Sequence, residues 1–234
     1  MKNYLNLTSL SLPFYSTQME NNLNNYLKEL RTNYNIDSLD ISTVSPNPIS
    51  QFESWMSFAL GQKVHEPNAM NLATVNDKGR PSSRIVLLRG VSMHGFTFYT
   101  NYESKKGKDL SKNNFAALNF FWPQLEKQIR IEGKIEKVPA QISDDYFKSR
   151  PLESRIGAIA SKQSSEIPSR DFLEQTISEL NEKFKSEVPR PENWGGYILR
   201  PDYFEFWQGR SNRLHDRICY SLNNKEWKIS RLSP

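Results

Sequence analysis

Polar and apolar positions along the 234-residue chain change their period several times, and each change marks an element. Within residues 17–34, Leu23, Tyr26, Leu27 and Leu30 recur at the spacing of one helical face. SPNP at 45–48 offers Asn47 as N-cap and Pro48 at the first helical position, and the helix that follows carries Phe52, Trp55, Met56 and Leu60. From residue 68 the period falls to two. NAMNLATV alternates and ends in NDKG, a hairpin signal. RIVLLRG and GFTFYTN read as strands joined by a turn around SMHG, and SKKGKDLSKNN as a short helix capped by Ser104. FAALNFFW and QIRIEGKIEKV are strands again. Residues 141–187 are helical, with Pro151 starting a new helix and a longer one after PSRD turning Phe172, Ile177, Leu180 and Phe184 inward. After the loop VPRPENWGG come GYILRP, YFEFWQG, DRICYSL and EWKISRL, all strand-like.

Short strands linked by tight turns, without a regular helix after each, predict a mainly β chain with peripheral helices (α+β), an antiparallel barrel or sandwich. Strands near both ends predict one barrel closed by its C-terminal part. No repeat or linker interrupts residues 21–234, which read as a single domain with a helical N-terminal segment; residues 1–20 read as a poorly ordered extension.

Composition narrows the partners. The chain is 37% hydrophobic, 12% aromatic and 24% charged, with a net charge of +5 and a mean hydropathy of −0.69. A moderate basic excess suits an anionic partner, and its spread along the chain argues against nucleic acid. Cys219 is the only cysteine, which precludes an intrachain disulfide and fits the cytoplasm. With three histidines besides, no zinc-ligand spacing exists, and no metal site is expected. No apolar run approaches the roughly 18–20 residues of a membrane-spanning helix.

Several stretches carry candidate chemistry. On the strand RIVLLR, Arg84 and Arg89 fall on opposite faces, each beside apolar residues. Both read either as strand-end cations in solvent or as anion holders, since a guanidinium fork meets phosphate oxygens bidentately. Lys105 and Lys106 follow Ser104 at a helix N-terminus, an end that disfavours cations and attracts anions. A bound phosphate resolves that conflict; a solvated basic surface is the plainer alternative. Tyr146, Arg150 and Ser154 recur every four residues across Pro151, a spacing that fits a phosphate clamp or an exposed helix face. In EFWQGRSNRLHDR, a strand continued to Arg217 puts Arg213, His215 and Arg217 on one face, toward solvent or a ligand, beside a flat Trp207. Dinucleotide, P-loop and nucleophile-elbow fingerprints are absent.

RIVLLR, FYTN with SKK, the Gln of EKQIRIEGK, YFKSRP, IGAIASKQSS, WGG, EFWQG, RLHDR and the closing WKISRLSP together resemble the pyridoxine/pyridoxamine 5′-phosphate oxidases, in order from about residue 30 to the end. The resemblance implies an FMN-binding split barrel, a homodimer with FMN at the subunit interface, and a C-terminal region serving dimerisation and the active site. It implies a pyridoxal 5′-phosphate synthase. Such an enzyme oxidises pyridoxine 5′-phosphate or pyridoxamine 5′-phosphate, with a hydride passing from C4′ to flavin N5 and O2 as acceptor giving H2O2. FMN contacts are then expected at Arg84, Tyr99, Thr100, Lys105 and Lys106, and at Gln128, Gln163, Ser164, Trp207 and Arg217. Substrate contacts are expected at Arg89, Tyr146, Arg150, Ser154, Arg213 and His215, the last two in catalytic roles, with Arg31 and Tyr34 closing over the substrate. Arg89 stands where many members have Lys, and Ser104-Lys105-Lys106 where many have SRK; both keep the charge. Related oxidases of other ring compounds such as phenazine precursors, non-enzymatic flavin or pyridoxal phosphate binders, and a nucleic-acid barrel are the competing readings.

Overall fold

The computed structural model describes residues 14–234, with side chains from residue 22 onward. The first helix, α1 (Phe14–Glu29), begins inside the segment expected to be poorly ordered; residues 1–13 lie outside the described ones. The apolar positions Leu23, Tyr26 and Leu27 on it, and Leu30 just past its end, are all exposed within the single chain. An extended strap, residues 30–40, leads to α2 (Pro48–Gly61), where Asn47 Oδ1 accepts from the N–H groups of Ile49 and Ser50. Phe52 and Trp55 of α2 enter the core, Met56 packs at its margin and Leu60 stays exposed.

Among the described residues nine antiparallel strands form the body: β1 (Ala69–Val75), β2 (Pro81–Leu87), β3 (Gly90–Ser92), β4 (Gly95–Asn101), β5 (Phe115–Trp122), β6 (Lys127–Lys137), β7 (Trp194–Gln208), β8 (Asp216–Asn223) and β9 (Glu226–Arg231). Their order is β2-β1-β5-β6-β7-β4-β3, with β8 on β7 and β9 on β8. The NDKG turn forms as expected: Asn76 Oδ1 accepts from the N–H groups of Lys78 and Arg80, and Gly79 takes φ +74. At the β3–β4 turn Gly95 has φ +137, and a Cβ there would lie 1.9 Å from the Leu199 carbonyl oxygen. Only glycine fits that position.

Closure follows from the connection between the two edge strands. Leu88 N–H donates to the Asn68 carbonyl, and the next residue, Arg89, donates to Thr97. Two adjacent residues thus bond to opposite ends of the strand order, so the sheet curls on itself. The core inside is aromatic: Phe52 stands edge-on to Phe96 and Phe120, and Trp55 to Phe206. Tyr220, Phe98 and Phe204 are fully buried with them.

GYILRP and YFEFWQG, read as two strands, are one. β7 pairs with β6 along both halves, but with β4 only through 194–199 and with β8 only through 203–208. Pro201 faces Gly133 and Tyr203 faces Glu132, leaving Asp202 as an extra residue where β7 changes its second partner. The barrel is therefore closed by the first half of β7, while β8 and β9 extend from the second half. Closure thus comes from the C-terminal part of the chain, as expected, through GYILRP.

Helices α3 (Lys105–Lys112), α4 (Ala140–Ser149), α5 (Leu152–Ala160) and α6 (Arg170–Lys183) lie outside the barrel. A second core of Phe147, Ile156, Val188 and Trp194 sits under α4–α6. Of the four residues expected inward near α6, Ile177, Leu180 and Phe184 pack there and Phe172 is exposed. Among the described residues no helix is long and apolar enough to cross a membrane.

Candidate active site in two half-sites

The expected site residues gather in two places. Arg84, Tyr99, Thr100, Lys105, Lys106, Gln163 and Ser164 line one cavity of about 840 Å³, together with Arg89, Tyr146, Arg150 and Ser154. Arg31, Tyr34, Arg213 and His215 line another cavity on the strap. Gln128, Trp207 and Arg217 lie abreast on β6, β7 and β8 beside it.

In the first cavity, strand alternation misled. Arg84 and Arg89, expected on opposite faces, both line it, because β2 ends at Leu87 and the chain crosses to β4 between them. Arg84 donates to the Leu72 carbonyl, Thr74 Oγ1 and Ser82 Oγ at 3.1, 2.8 and 2.7 Å. Lys105 Nζ reaches Ser82 Oγ at 3.0 Å and Asp109 Oδ2 at 3.2 Å. Asp109 is buried, which pushes its pKa up, but hydrogen bonds from Thr74, Lys105 and Ser82 outweigh this and hold it below the ordinary carboxylate value. Neither Asp109 nor Ser82 carries a spacing signal in the sequence.

Lys106 differs. It is 7% exposed and donates to Thr100 Oγ1, Ser104 Oγ and Gln163 Oε1 at 3.0, 3.2 and 2.8 Å, all neutral acceptors. Burial, with Arg84 nearby, lowers its pKa to about 8. Among the described residues no carboxylate pairs with Lys106, Arg89 or Arg150. Lys106 is buried, Arg150 half-buried and Arg89 exposed; a buried cation left without an acid is stabilised by an anionic ligand. Ser104 caps α3 as expected, its Oγ accepting from Gly107 N–H. Ser164 takes φ +73 in the SKQSS turn, a conformation rare outside glycine and found at ligand sites.

A pH dependence follows. A phosphate placed against Lys106 raises its pKa again, so binding takes up a proton above pH about 8. Affinity for a phosphate ligand is therefore expected to fall as pH rises beyond 8 and to hold steady below, down to the second phosphate pKa near about 6. Calorimetric titration in buffers of different ionisation heat measures that uptake. Lys106→Met should flatten the alkaline limb.

Tyr146, Arg150 and Ser154 do meet, though not on one helix. Tyr146 ends α4, Arg150 is its extended C-cap, and Ser154 lies one turn into α5. Pro151 makes the corner that turns all three to the cavity. Tyr146 stacks on Tyr99 with centroids 3.7 Å apart.

The second half-site is built on the strap. Asp37 Oδ2 accepts from the buried Lys127 Nζ at 2.7 Å, Glu126 Oε2 from Ile36 N–H at 3.0 Å, and Asp216 Oδ2 from Leu39 N–H at 3.1 Å. These bonds lay Tyr34 edge-on to Trp207 at 5.8 Å and beside His215 at 5.9 Å. Gly209 leaves the room: a Cβ there would stand 2.8 Å from both Cβ and Cγ of Tyr34. Gly209→Ala is expected to displace Tyr34, seen as a raised substrate KM, and to lower Tm modestly, since the same Cβ would stand 2.9 Å from Glu126 Cβ.

Arg213, His215 and Arg217 do not share a strand face. Residues 211–213 form a 3-10 turn with Asn212 and Arg213 at φ +57 and +62, and β8 begins only at Asp216. His215 Nδ1 accepts from Arg210 N–H at 3.1 Å, which leaves the ring proton of neutral His215 on Nε2. Burial and the neighbouring Arg213 both lower the His215 pKa, favouring that neutral form. Arg217 makes a bidentate pair with buried Glu205, at 2.9 and 3.0 Å, and a third bond to the Ser233 carbonyl. Three of its five N–H groups are thus satisfied within the chain.

Tyr99 pairs with Gly196 near one end of β7, and Trp207 lies eleven residues along it. At the rise of a β-strand that is at most about 35 Å. The two half-sites therefore belong to different regions of one chain.

Residues 59–184 match the model of the pyridoxamine 5′-phosphate oxidase family, and residues 194–234 that of the pyridoxine 5′-phosphate oxidase C-terminal dimerisation region. Pyridoxine/pyridoxamine 5′-phosphate oxidase of Cytophaga hutchinsonii is 53% identical over 89% of this chain and 98% of its own. That of Cupriavidus taiwanensis is 56% identical over 89% and 99%. Among solved structures, PhzG from Burkholderia lata 383, in complex with tetrahydrophenazine-1-carboxylic acid, is 31% identical with a TM-score of 0.81, covering 85% of this chain and 99% of its own. A pyridoxamine 5′-phosphate oxidase-related, FMN binding protein from Nostoc punctiforme shares the fold at 17% identity and a TM-score of 0.63, covering 78% of this chain and 97% of its own. The antiparallel barrel with peripheral helices is the split barrel of these proteins, and the chain belongs to the pyridoxine/pyridoxamine 5′-phosphate oxidase family.

Proposed function

We propose that the protein is a cytoplasmic, FMN-dependent pyridoxal 5′-phosphate synthase acting as a homodimer, with each active site made from the cavity of one protomer and the strap region of its partner. The observation that carries this is the pair of unneutralised cation groups in one cavity, Lys106 at one part and Arg150 with Arg89 at another. Two phosphorylated ligands, FMN and the substrate, give both a use.

The residues present fit FMN. Lys106, Lys105 and Arg84, with Thr100 and the SKQSS turn, would hold its phosphate. Tyr99, Gln163 and Ser164 complete this side of the cavity, and Gln128, Trp207 and Arg217 would come from the partner. When bound, FMN would supply the two-electron chemistry, hydride acceptance from substrate C4′ at N5 with O2 as final acceptor, so that pyridoxine 5′-phosphate and O2 would yield pyridoxal 5′-phosphate and H2O2, the amine also consuming water and releasing ammonia. Arg150, Arg89, Tyr146 and Ser154 hold the substrate phosphate. Arg213 lies over the substrate ring and keeps it in line, and His215 donates from Nε2. Arg31 and Tyr34 close the site against water.

A phenazine-type substrate is the second reading, favoured by the likeness to PhzG. Against it stands the Arg89–Tyr146–Arg150–Ser154 cluster, which a ring compound without phosphate does not need. The test is direct. The purified protein should show a bound-flavin spectrum and form pyridoxal 5′-phosphate from pyridoxine 5′-phosphate only with oxygen present. A protein that cannot take up FMN defeats the reading; a flavoprotein inert to both B6 phosphates leaves only the fold.

A further inference from the structure

We propose that Trp194 is a positioning residue of the substrate-phosphate clamp, holding Arg150 in place through the face of its indole. The proposal rests on the reading of Arg150 as a substrate-phosphate ligand. Arg150 has no carboxylate partner among the described residues, and its Nη1 is buried without a hydrogen bond. Burial and the charge of Arg89 both lower its pKa, with Tyr146 opposing them. What faces the guanidinium instead is aromatic: its carbon lies 4.7 Å from the Trp194 ring centroid and 5.7 Å from that of Phe147. A desolvated guanidinium over a Trp face is stabilised by the ring quadrupole, and the fixed plane leaves its remaining N–H groups free for a ligand.

Trp194 is itself held from several sides. Its N–H donates to the Pro191 carbonyl, and its carbonyl accepts from Arg190, which is paired at 2.6 Å with Asp144 of α4. Phe147 stands edge-on to it at 5.0 Å, and the Tyr99 ring lies nearly parallel at 5.7 Å. Tyr99 has a closer stack on Tyr146, at 3.7 Å, than on Trp194. Removing the indole is therefore expected to loosen Arg150 more than the FMN side of the cavity.

The experiment compares Trp194→Leu and Trp194→Phe holoenzymes with wild type in binding pyridoxal 5′-phosphate and pyridoxal, and in steady-state kinetics with pyridoxine 5′-phosphate. Trp194→Leu should weaken pyridoxal 5′-phosphate binding and raise KM by about 10- to 30-fold. Pyridoxal affinity and FMN retention should hold, kcat should fall far less than KM rises, and Trp194→Phe should recover most of the loss. Equal losses for pyridoxal and its phosphate, or lost FMN at unchanged KM, would make Trp194 a packing residue only. If Trp194→Leu does not fold, a cycle of Trp194→Met, which fills the space without an aromatic face, with Arg150→Lys decides: coupled effects support the proposal and additive effects overturn it. Should wild type itself not prefer pyridoxal 5′-phosphate over pyridoxal, the substrate reading fails; should wild type prefer it and both variants keep that preference, only the role of Trp194 fails.

Discussion

Arg213→Ala is expected to lower kcat/KM for pyridoxine 5′-phosphate by roughly 100-fold or more while the protein keeps its FMN, since misplacing a substrate by about 1 Å has an effect of that size. The geometry separates the two outcomes. Arg213 is exposed at φ +62, on a turn that lines the strap cavity, and it makes no ion pair among the described residues. Truncating such a side chain removes no internal bond, so Tm should move little. Arg210 is the built-in control. It pairs with Asp216 and donates to the Asp37 carbonyl, tying the strap down rather than facing the cavity alone. Arg210→Ala should loosen the strap and lower Tm. Turnover and flavin absorbance, measured on both variants, distinguish a substrate guide from a strap anchor. Undiminished turnover in Arg213→Ala removes that residue from the mechanism.

What the sequence made legible here was local. Asn47-Pro48, Ser104 and NDKG act through neighbours within four residues, and each forms as its spacing implies. Period-two alternation found the strands for the same reason. It failed where a side chain's direction depends on which strand its backbone pairs with. Arg84 and Arg89 reach one cavity because the chain changes partners between them, and Arg213, His215 and Arg217 lose their common face because the strand stops at Gln208. Lys106 reads as a surface lysine until Thr100 and Gln163, brought in from a strand and a distant loop, enclose it. Asp109 and Trp194 carry no spacing signal; packing alone puts one beneath two cations and the other beneath Arg150. The family resemblance named the site residues, and the long strand β7 explains why they occur as two groups.

Mixing two inactive variants should restore activity if each active site is shared between protomers. Arg150→Ala spoils the cavity half, and Arg213→Ala the strap half. In either homodimer both sites carry one defect. In the mixed dimer one site collects both defects and the other collects none. Random reassociation makes half the dimers mixed, so activity per chain should rise from near zero to about a quarter of wild type. A site built within one chain gives no rescue, because every chain then carries its own defect. The β7 geometry favours rescue: Tyr99 and Trp207 are assigned to the same flavin, yet eleven residues of β7, at most about 35 Å of strand, separate their anchor points. One isoalloxazine with its ribityl phosphate is far shorter than that. The match of residues 194–234 to a dimerisation region is consistent with a second copy supplying the missing half. Refolding the pair from denaturant with excess FMN, then assaying pyridoxal 5′-phosphate formation, reads the result. Activity that stays at the level of the separate variants, with mixed dimers verified by mass, would put both halves back into one protomer and overturn the shared site.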